Sequence, residues 1–207
     1  MIGIIDYDAG NIKSVERALA WLNQETVVSR DAETLLRADR VILPGVGSFG
    51  DAMEKLRAYG LVEVIRECVD RGTPLLGICL GLQLLFGSSE ESPGVEGLHL
   101  LDGRIVRIPS AESLKVPHIG WNNLSFPREG RLFTGVGAES AYVYFVHSYY
   151  LQADDRDIVT ATTEYGVKMD VSVEKGNLFA CQFHPEKSSD PGMQILRNFI
   201  AVPSPCK

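Results

Sequence analysis

No apolar run in the 207-residue sequence approaches the roughly 20 residues needed to cross a bilayer, which excludes a membrane-spanning helix. The N-terminal M-I-G-I-I-D has no basic segment leading into a long apolar stretch and a small-residue cleavage site, so no export signal is expected. Positive charge is in deficit: 20 Lys and Arg against 27 Asp and Glu leave a net charge of −7. No Lys/Arg cluster stands out, which argues against nucleic-acid binding through a basic surface. Cysteine is sparse. Cys68, Cys79, Cys181 and Cys206 are irregularly spaced, form no CxxC pair and have few histidines nearby. That argues against a zinc site or a disulfide framework and fits a reducing cytoplasm; no metal and no cofactor are expected. A linker rich in Pro, Gly or Ser is also missing, as is any internal repeat. The reading is one domain over residues 1–207, with a tail from about residue 201.

What is present is an alternation of strands and helices. Met1 to Asp6 reads as a buried strand, and Asn11 as the N-cap of a helix whose face is Val15, Ala18, Leu19 and Leu22. Thr26 to Ser29 and Val41 to Leu43 follow as strands, with a short helix or turn between them at Asp31 to Arg37. The turn Pro44-Gly45-Val46-Gly47 comes next, then helices from Phe49 to Ala58 and from Leu61 to Arg71. This order predicts an α/β fold of flavodoxin-like type, a mostly parallel sheet with helices on both faces and the ligand site beyond the carboxyl ends of its strands. After Gly87 the character changes. Ser88 to Gly97 reads as a polar, flexible loop. Added antiparallel strands are expected at Leu98 to Ile108, Val116 to Phe126, Tyr142 to Gln152, Ile158 to Thr163, Met169 to Glu174 and Leu178 to Phe183. Lys175-Gly176-Asn177 is a hairpin signal, and Asp190-Pro191 is expected to cap a last helix from Gly192 to Ile200.

The segment Pro74 to Gln83, P-L-L-G-I-C-L-G-L-Q, carries the chemistry. A short apolar strand ends on Cys79 and turns into a helix, with Gly77 and Gly81 two residues before and after. Such a turn brings strand and helix too close for side chains, and paired glycines relieve the crowding, as in the nucleophile elbow G-x-S-x-G. The elbow presents Cys79 at a helix N-terminus, where the helix dipole favours a thiolate. Cys68 lies instead on the apolar stripe of Leu61, Val64, Ile65 and Val69 and reads as core.

A cysteine nucleophile needs a base and a group to orient it. Of the four histidines, His184 ends an apolar strand and precedes Pro185, which favours extended backbone there. Glu186, two residues on, shares its face in an extended chain. Cys79, His184 and Glu186 therefore read as a triad. Backbone N–H groups of Val46 or Gly47, and of Leu80, are the candidate oxyanion donors.

P-G-V-G at residues 44–47, G-I-C-L-G-L-Q at the elbow and F-H-P-E at residues 183–186 together resemble the class I (triad) glutamine amidotransferases, in order and spacing over essentially the whole chain. The resemblance implies hydrolysis of the glutamine side-chain amide through a γ-glutamyl thioester on Cys79, with His184 as base and then acid and Glu186 orienting it. It implies that Gly47, Gln83, Glu91, Ser148 and Tyr149 hold glutamine. The opening I-I-D-Y-D-A-G-N-I-K-S-V, the segment K-V-P-H-I-G-W-N-N and the run Y-F-V-H-S-Y-Y are similar to the glutaminase subunits of imidazole glycerol phosphate synthases. Asp8 stands where the opening of those subunits usually has glycine. This finer likeness implies a heterodimer with a (β/α)₈ cyclase, with Asn11, His118, Trp121, Asn122 and Lys187 on or near the partner-facing surface. Competing readings are a glutaminase serving anthranilate, guanylate or pyridoxal phosphate synthesis, a stand-alone cysteine hydrolase, and a binding module in which Cys79 is only core.

Overall fold

The protein is described by a computed structural model covering residues 1–8, 10–110, 114–137 and 141–205. The first half alternates as the sequence predicts: β1 (Ile2–Ile5), α1 (Ile12–Trp21), β2 (Thr26–Ser29), α2 (Ala32–Leu36), β3 (Arg40–Leu43), α3 (Phe49–Ala58), α4 (Leu61–Asp70), β4 (Leu75–Ile78) and α5 (Leu80–Leu84). The second half contributes β5 (Ser88–Ser89), β6 (Gly103–Arg107), β7 (His118–Asn123), β8 (Tyr142–His147), β9 (Tyr149–Ala153), β10 (Val159–Tyr165), β11 (Val167–Lys175), β12 (Leu178–Cys181) and α6 (Ser189–Ala201).

Ten strands form one sheet in the order β2-β1-β3-β4-β12-β11-β9-β6-β5, with β10 paired to β11. From β2 through β12 every pairing is parallel, and the neighbours β12–β11, β11–β9 and β9–β6 are antiparallel. The last strand in the sequence therefore lies in the middle of the sheet, beside β4. Alternation along the strands divides the core between two faces. Leu75 and Leu43 point to one side with Phe49, Leu56 and Ile65 of α3 and α4. Leu76, Ile78 and Ile42 point to the other with Val15 and Leu19 of α1 and Ile195, Leu196 and Phe199 of α6.

Several expectations are corrected. Leu98 to Ile108 is not one strand. The N–H groups of Leu98, Leu100 and Leu101 turn back to the carbonyls of Leu84 and Leu85 at 2.9–3.2 Å, closing the end of α5, and only Gly103–Arg107 joins the sheet. His99, expected within that strand, has a φ of 53°. Tyr142 to Gln152 is split at Ser148 into β8, which pairs with β7 in a separate two-stranded sheet, and β9, which pairs with β6. The polar segment after Gly87 is held rather than loose: Glu91 Oε2 accepts from Phe49 N at 2.7 Å and Ser92 Oγ from Gly50 N at 3.0 Å. Asn11 occupies the cap position of α1, but its side chain makes no capping bond. Asp190-Pro191 lies inside the first turn of α6 rather than ahead of it, where proline's missing N–H costs nothing. Val202, placed in the tail, is buried and accepts from Arg40 Nη2 at 2.6 Å. Cys206 lies outside the described residues.

Candidate active site

Cys79 stands at the carboxyl end of β4 with φ 56° and ψ −109°, a conformation that costs an L-residue on the order of 1–3 kcal/mol. The neighbouring glycines enforce the turn. A Cβ on Gly81 would lie 1.9 Å from the Leu43 carbonyl oxygen, and one on Gly77 would lie 2.7 Å from that of Gly81. Gly45 is as tightly held, since its Cβ would lie 2.7 Å from Leu80 Cβ and 2.7 Å from Tyr7 Oη. Tyr7 Oη donates to the Pro44 carbonyl at 2.7 Å, which fixes the start of the Pro44–Gly47 turn beside the elbow. Gly47 has a φ of +104° and open space around it.

The parallel pairing of β4 with β12 delivers the second group. Cys79 N donates to Cys181 O at 2.8 Å, and the chain leaving β12 carries His184 to the same edge. His184 N donates to Tyr144 O at 3.0 Å, and Ser188 Oγ donates to His184 O at 2.6 Å while accepting from Tyr144 N at 2.9 Å. His184 Nδ1 donates to Glu186 Oε1 at 2.8 Å, and the two side chains are 2% and 1% exposed. Nε2 is buried with no protein hydrogen bond of ordinary geometry, and the Cys79 sulfur is the group it senses. Burial alone would lower the His184 pKa. Interaction with Cys79 and Glu186 outweighs it and raises the group to about 9. Cys181 is the contrasting thiol: burial pushes its pKa well up, and it faces the Phe183 carbonyl.

A cavity of about 340 Å³ opens on this pair, lined by Val46, Gly47, Cys79, Leu80, Gln83, Glu91, Pro117, Val146, His147, Ser148, Tyr149 and His184. A buried cysteine at positive φ, a raised histidine held by a carboxylate, and a glycine turn at one pocket form the constellation of acyl transfer. The model for class-I glutamine amidotransferases matches residues 3–202. This chain belongs to that family. Imidazole glycerol phosphate synthase subunit HisH of Moorella thermoacetica is 53% identical over 198 residues, 96% of this chain and 93% of that protein. The same subunit from Methanothermobacter thermautotrophicus is 48% identical over 202 residues, 98% of each chain. Among solved structures, one described as a glutamine amidotransferase has a TM-score of 0.75 at 24% identity and covers 96% of both chains. PurLQS from Thermotoga maritima has 0.71 at 20%, again over 96% of both. These two show the amidotransferase fold.

All the residues expected to form the oxyanion donors and hold glutamine line this amidotransferase cavity, together with Cys79 and His184; Glu186 lies behind the imidazole. Glu91 also ties the N-terminus of α3. The expected interface set divides. Alternation on β7 turns Trp121 outward, 52% exposed beside Ile119 at 59%, with Tyr144 edge-on and Lys187 Nζ 5.8 Å from the Tyr144 ring. His118 turns inward and is buried between Phe145 and Tyr165, so it lies beneath that surface rather than on it. Asn122 points the same way and donates to Glu164 O at 2.9 Å. Asn11 is half-buried at the start of α1, next to Gly10, which packs on Pro44. Pro117, Val146 and His147 line the cavity with no expected role, and Gln182 lies against the Cys79 sulfur with none either. His147 stands in the aromatic run with nothing to mark it. Gln182 sits two residues before His184, and strand alternation was the one signal for it.

Proposed function

We propose that Cys79, His184 and Glu186 act as the catalytic triad of a glutaminase over the whole of residues 1–207. The observation that carries this is the His184–Glu186 pair at 2.8 Å, sharing a pocket with a cysteine held at positive φ. The Cys79 thiolate attacks the side-chain carbonyl carbon of glutamine. The resulting oxyanion accepts N–H bonds from Leu80 and from Val46 or Gly47 in the turn. The imidazolium of His184 gives its proton to the departing ammonia, leaving a γ-glutamyl thioester. His184 then takes a proton from water, which attacks the thioester, and glutamate leaves as the C–S bond breaks back to thiolate. Glu186 holds the imidazole in orientation and balances its charge. Gly47, Gln83, Glu91, Ser148 and Tyr149 hold the amino-acid end of the substrate.

The chain is a glutaminase subunit of imidazole glycerol phosphate synthase acting in histidine biosynthesis, in keeping with relatives of that name at 48–53% identity over 96–98% of its length. Its partner is a (β/α)₈ cyclase in a cytoplasmic heterodimer, which uses the ammonia to make imidazole glycerol phosphate and an aminoimidazole carboxamide ribotide. Ammonia protonates in bulk water, so transfer needs a dry, docked path. The exposed face of β7 and β8, with Ile119, Trp121 and Tyr142 and with Lys187 beside it, is the docking surface, and β8 itself carries the cavity-lining Val146, opposite Ile119, and His147.

The test is glutamate release by the purified chain alone, and then with a cyclase and its formimino nucleotide. A large rise matched by imidazole glycerol phosphate is expected. Cys79→Ser is expected to abolish hydrolysis and keep the complex intact; unchanged hydrolysis in that variant removes Cys79 from the mechanism. Hydrolysis indifferent to the cyclase keeps the triad and discards the pathway.

A further inference from the structure

Gln182 is fully buried, and the reaction just described gives it no task. Its Nε2 approaches the Cys79 sulfur at 3.7 Å. The orientation of a glutamine amide is fixed only by its surroundings, and here they fix it. Gln83 Nε2 lies 3.2 Å from the Tyr149 carbonyl oxygen and 3.0 Å from Gln182 Oε1. The Tyr149 carbonyl can only accept, so the end of Gln83 that faces it is the NH₂ group. Gln182 must then present its oxygen to Gln83, and its own NH₂ is left pointing at the sulfur. The Tyr149 carbonyl is anchored in turn, accepting from His147 Nδ1 at 2.9 Å.

We propose that Gln182 is a further catalytic residue, a second donor to the Cys79 sulfur whose amide is set in place by Gln83. The proposal rests on Cys79 being the nucleophile. An amide donor differs from His184 in one respect that matters: it stabilises the thiolate without exchanging a proton with it. His184 gives its proton to ammonia and regains one from the attacking water, so its support for charge on sulfur comes and goes within the cycle. The support from Gln182 stays. When water attacks the thioester and the C–S electron pair returns to sulfur, the leaving thiolate forms against a donor already in position. Hydrogen bonds to charged groups are about twice as strong as neutral ones, and a buried site strengthens them further. The arrangement also assigns Gln83. Both bonds of its NH₂ are spent on protein acceptors, so only its Oε1 is left for glutamine.

The test uses the full chain docked on its cyclase, with Gln182→Met, which keeps the length and loses the donor, and Gln182→Glu, which also keeps an acceptor for Gln83. Iodoacetamide labelling of Cys79 is followed by mass spectrometry against pH. The pH at half-maximal labelling rate is expected to rise by about one unit in Gln182→Met and by more in Gln182→Glu, where a carboxylate faces the sulfur. The kcat for glutamine is expected to fall by about tenfold or more, with KM little changed. Circular dichroism and the thermal midpoint report folding. If Gln182→Met does not fold, Gln182→Glu carries the test, because Gln83 keeps its acceptor. A folded variant with the wild-type labelling profile and wild-type kcat overturns the proposal. The underlying reading fails separately, if wild-type activity survives Cys79→Ser.

Discussion

Three buried histidines are pushed in opposite directions by what each one faces. His184 faces Cys79 and Glu186 and is raised to about 9 although burial opposes it. His118 and His147 face aromatic rings, a carbonyl and each other, and burial lowers both to about 4. They are therefore neutral at pH 7, and their tautomers follow from the hydrogen bonds. His147 Nδ1 donates to Tyr149 O, so its Nε2 must accept from His118 Nδ1 at 3.1 Å. His118 Nε2 is then an acceptor, facing Asn122 Nδ2 at 3.5 Å. Between about 6.5 and 9 the folded chain keeps a proton on His184 that the unfolded chain has released, so stability falls as pH rises through that window. Between about 6.5 and 4 the unfolded chain binds protons on His118 and His147 that the folded chain does not, so stability falls as pH drops. Denaturant midpoints across pH are expected to show the histidine contribution peaking near 6.5. Glutamine hydrolysis is expected to decline above about pH 9, as His184 loses the proton that its proposed role passes to ammonia. A midpoint that climbs steadily from pH 6.5 to 9 would contradict this assignment.

At the scale of elements, the elbow separates two ways in which a glycine can be required. Gly81 has ordinary backbone but no room, whereas Gly47 has room but a φ of +104°. Gly81→Ala is expected to destabilise the fold by at least about 1–3 kcal/mol, because the clash is with backbone that cannot step aside. Gly47→Ala is expected to fold with a smaller loss, of about 1 kcal/mol, and to show its effect mainly in kcat, since the strain falls on the turn proposed to supply an oxyanion donor. Urea denaturation and steady-state kinetics on both variants check the contrast; equal stability losses would refute it. The elbow was legible in the sequence because its glycines bracket Cys79 at fixed spacing, and His184 and Glu186 because Pro185 sets the backbone between them. The break at Ser148 was not legible. Strand-favouring residues run on both sides of Ser148 through Y-V-Y-F-V-H-S-Y-Y-L-Q, and the division comes from which strands lie alongside, β7 against the first part and β6 against the second. Leu98 to Leu101 were equally opaque. They have the apolar content of a strand, yet the N–H groups of Leu98, Leu100 and Leu101 are taken by the carbonyls at the end of α5. Beyond its place two residues before His184, Gln182 carried no signal of its role, because its partner, Gln83, lies 99 residues away.

For the whole molecule, the decisive fact is that β12 pairs in parallel with β4, with Leu178 opposite Leu75 and Cys181 opposite Ile78. Cys79 and His184, the proposed nucleophile and base, are about a hundred residues apart in sequence and meet only when this pair forms. A chain ended before Leu178 would leave β4 with an unpaired edge and much of both core faces uncovered. Such a fragment is expected to aggregate on expression, and sedimentation against the full chain checks this; a soluble monomeric fragment would show that the parallel half folds without its last strand. The same placement matters while the protein is being made. Translation delivers β1 to β4 well before β12, so the centre of the sheet stays open to foreign strands until β12 has left the ribosome. Slow synthesis of the segment between β4 and β12 would lengthen that exposure, and a holdase chaperone acting on the nascent chain would have the edge of β4 as its natural target.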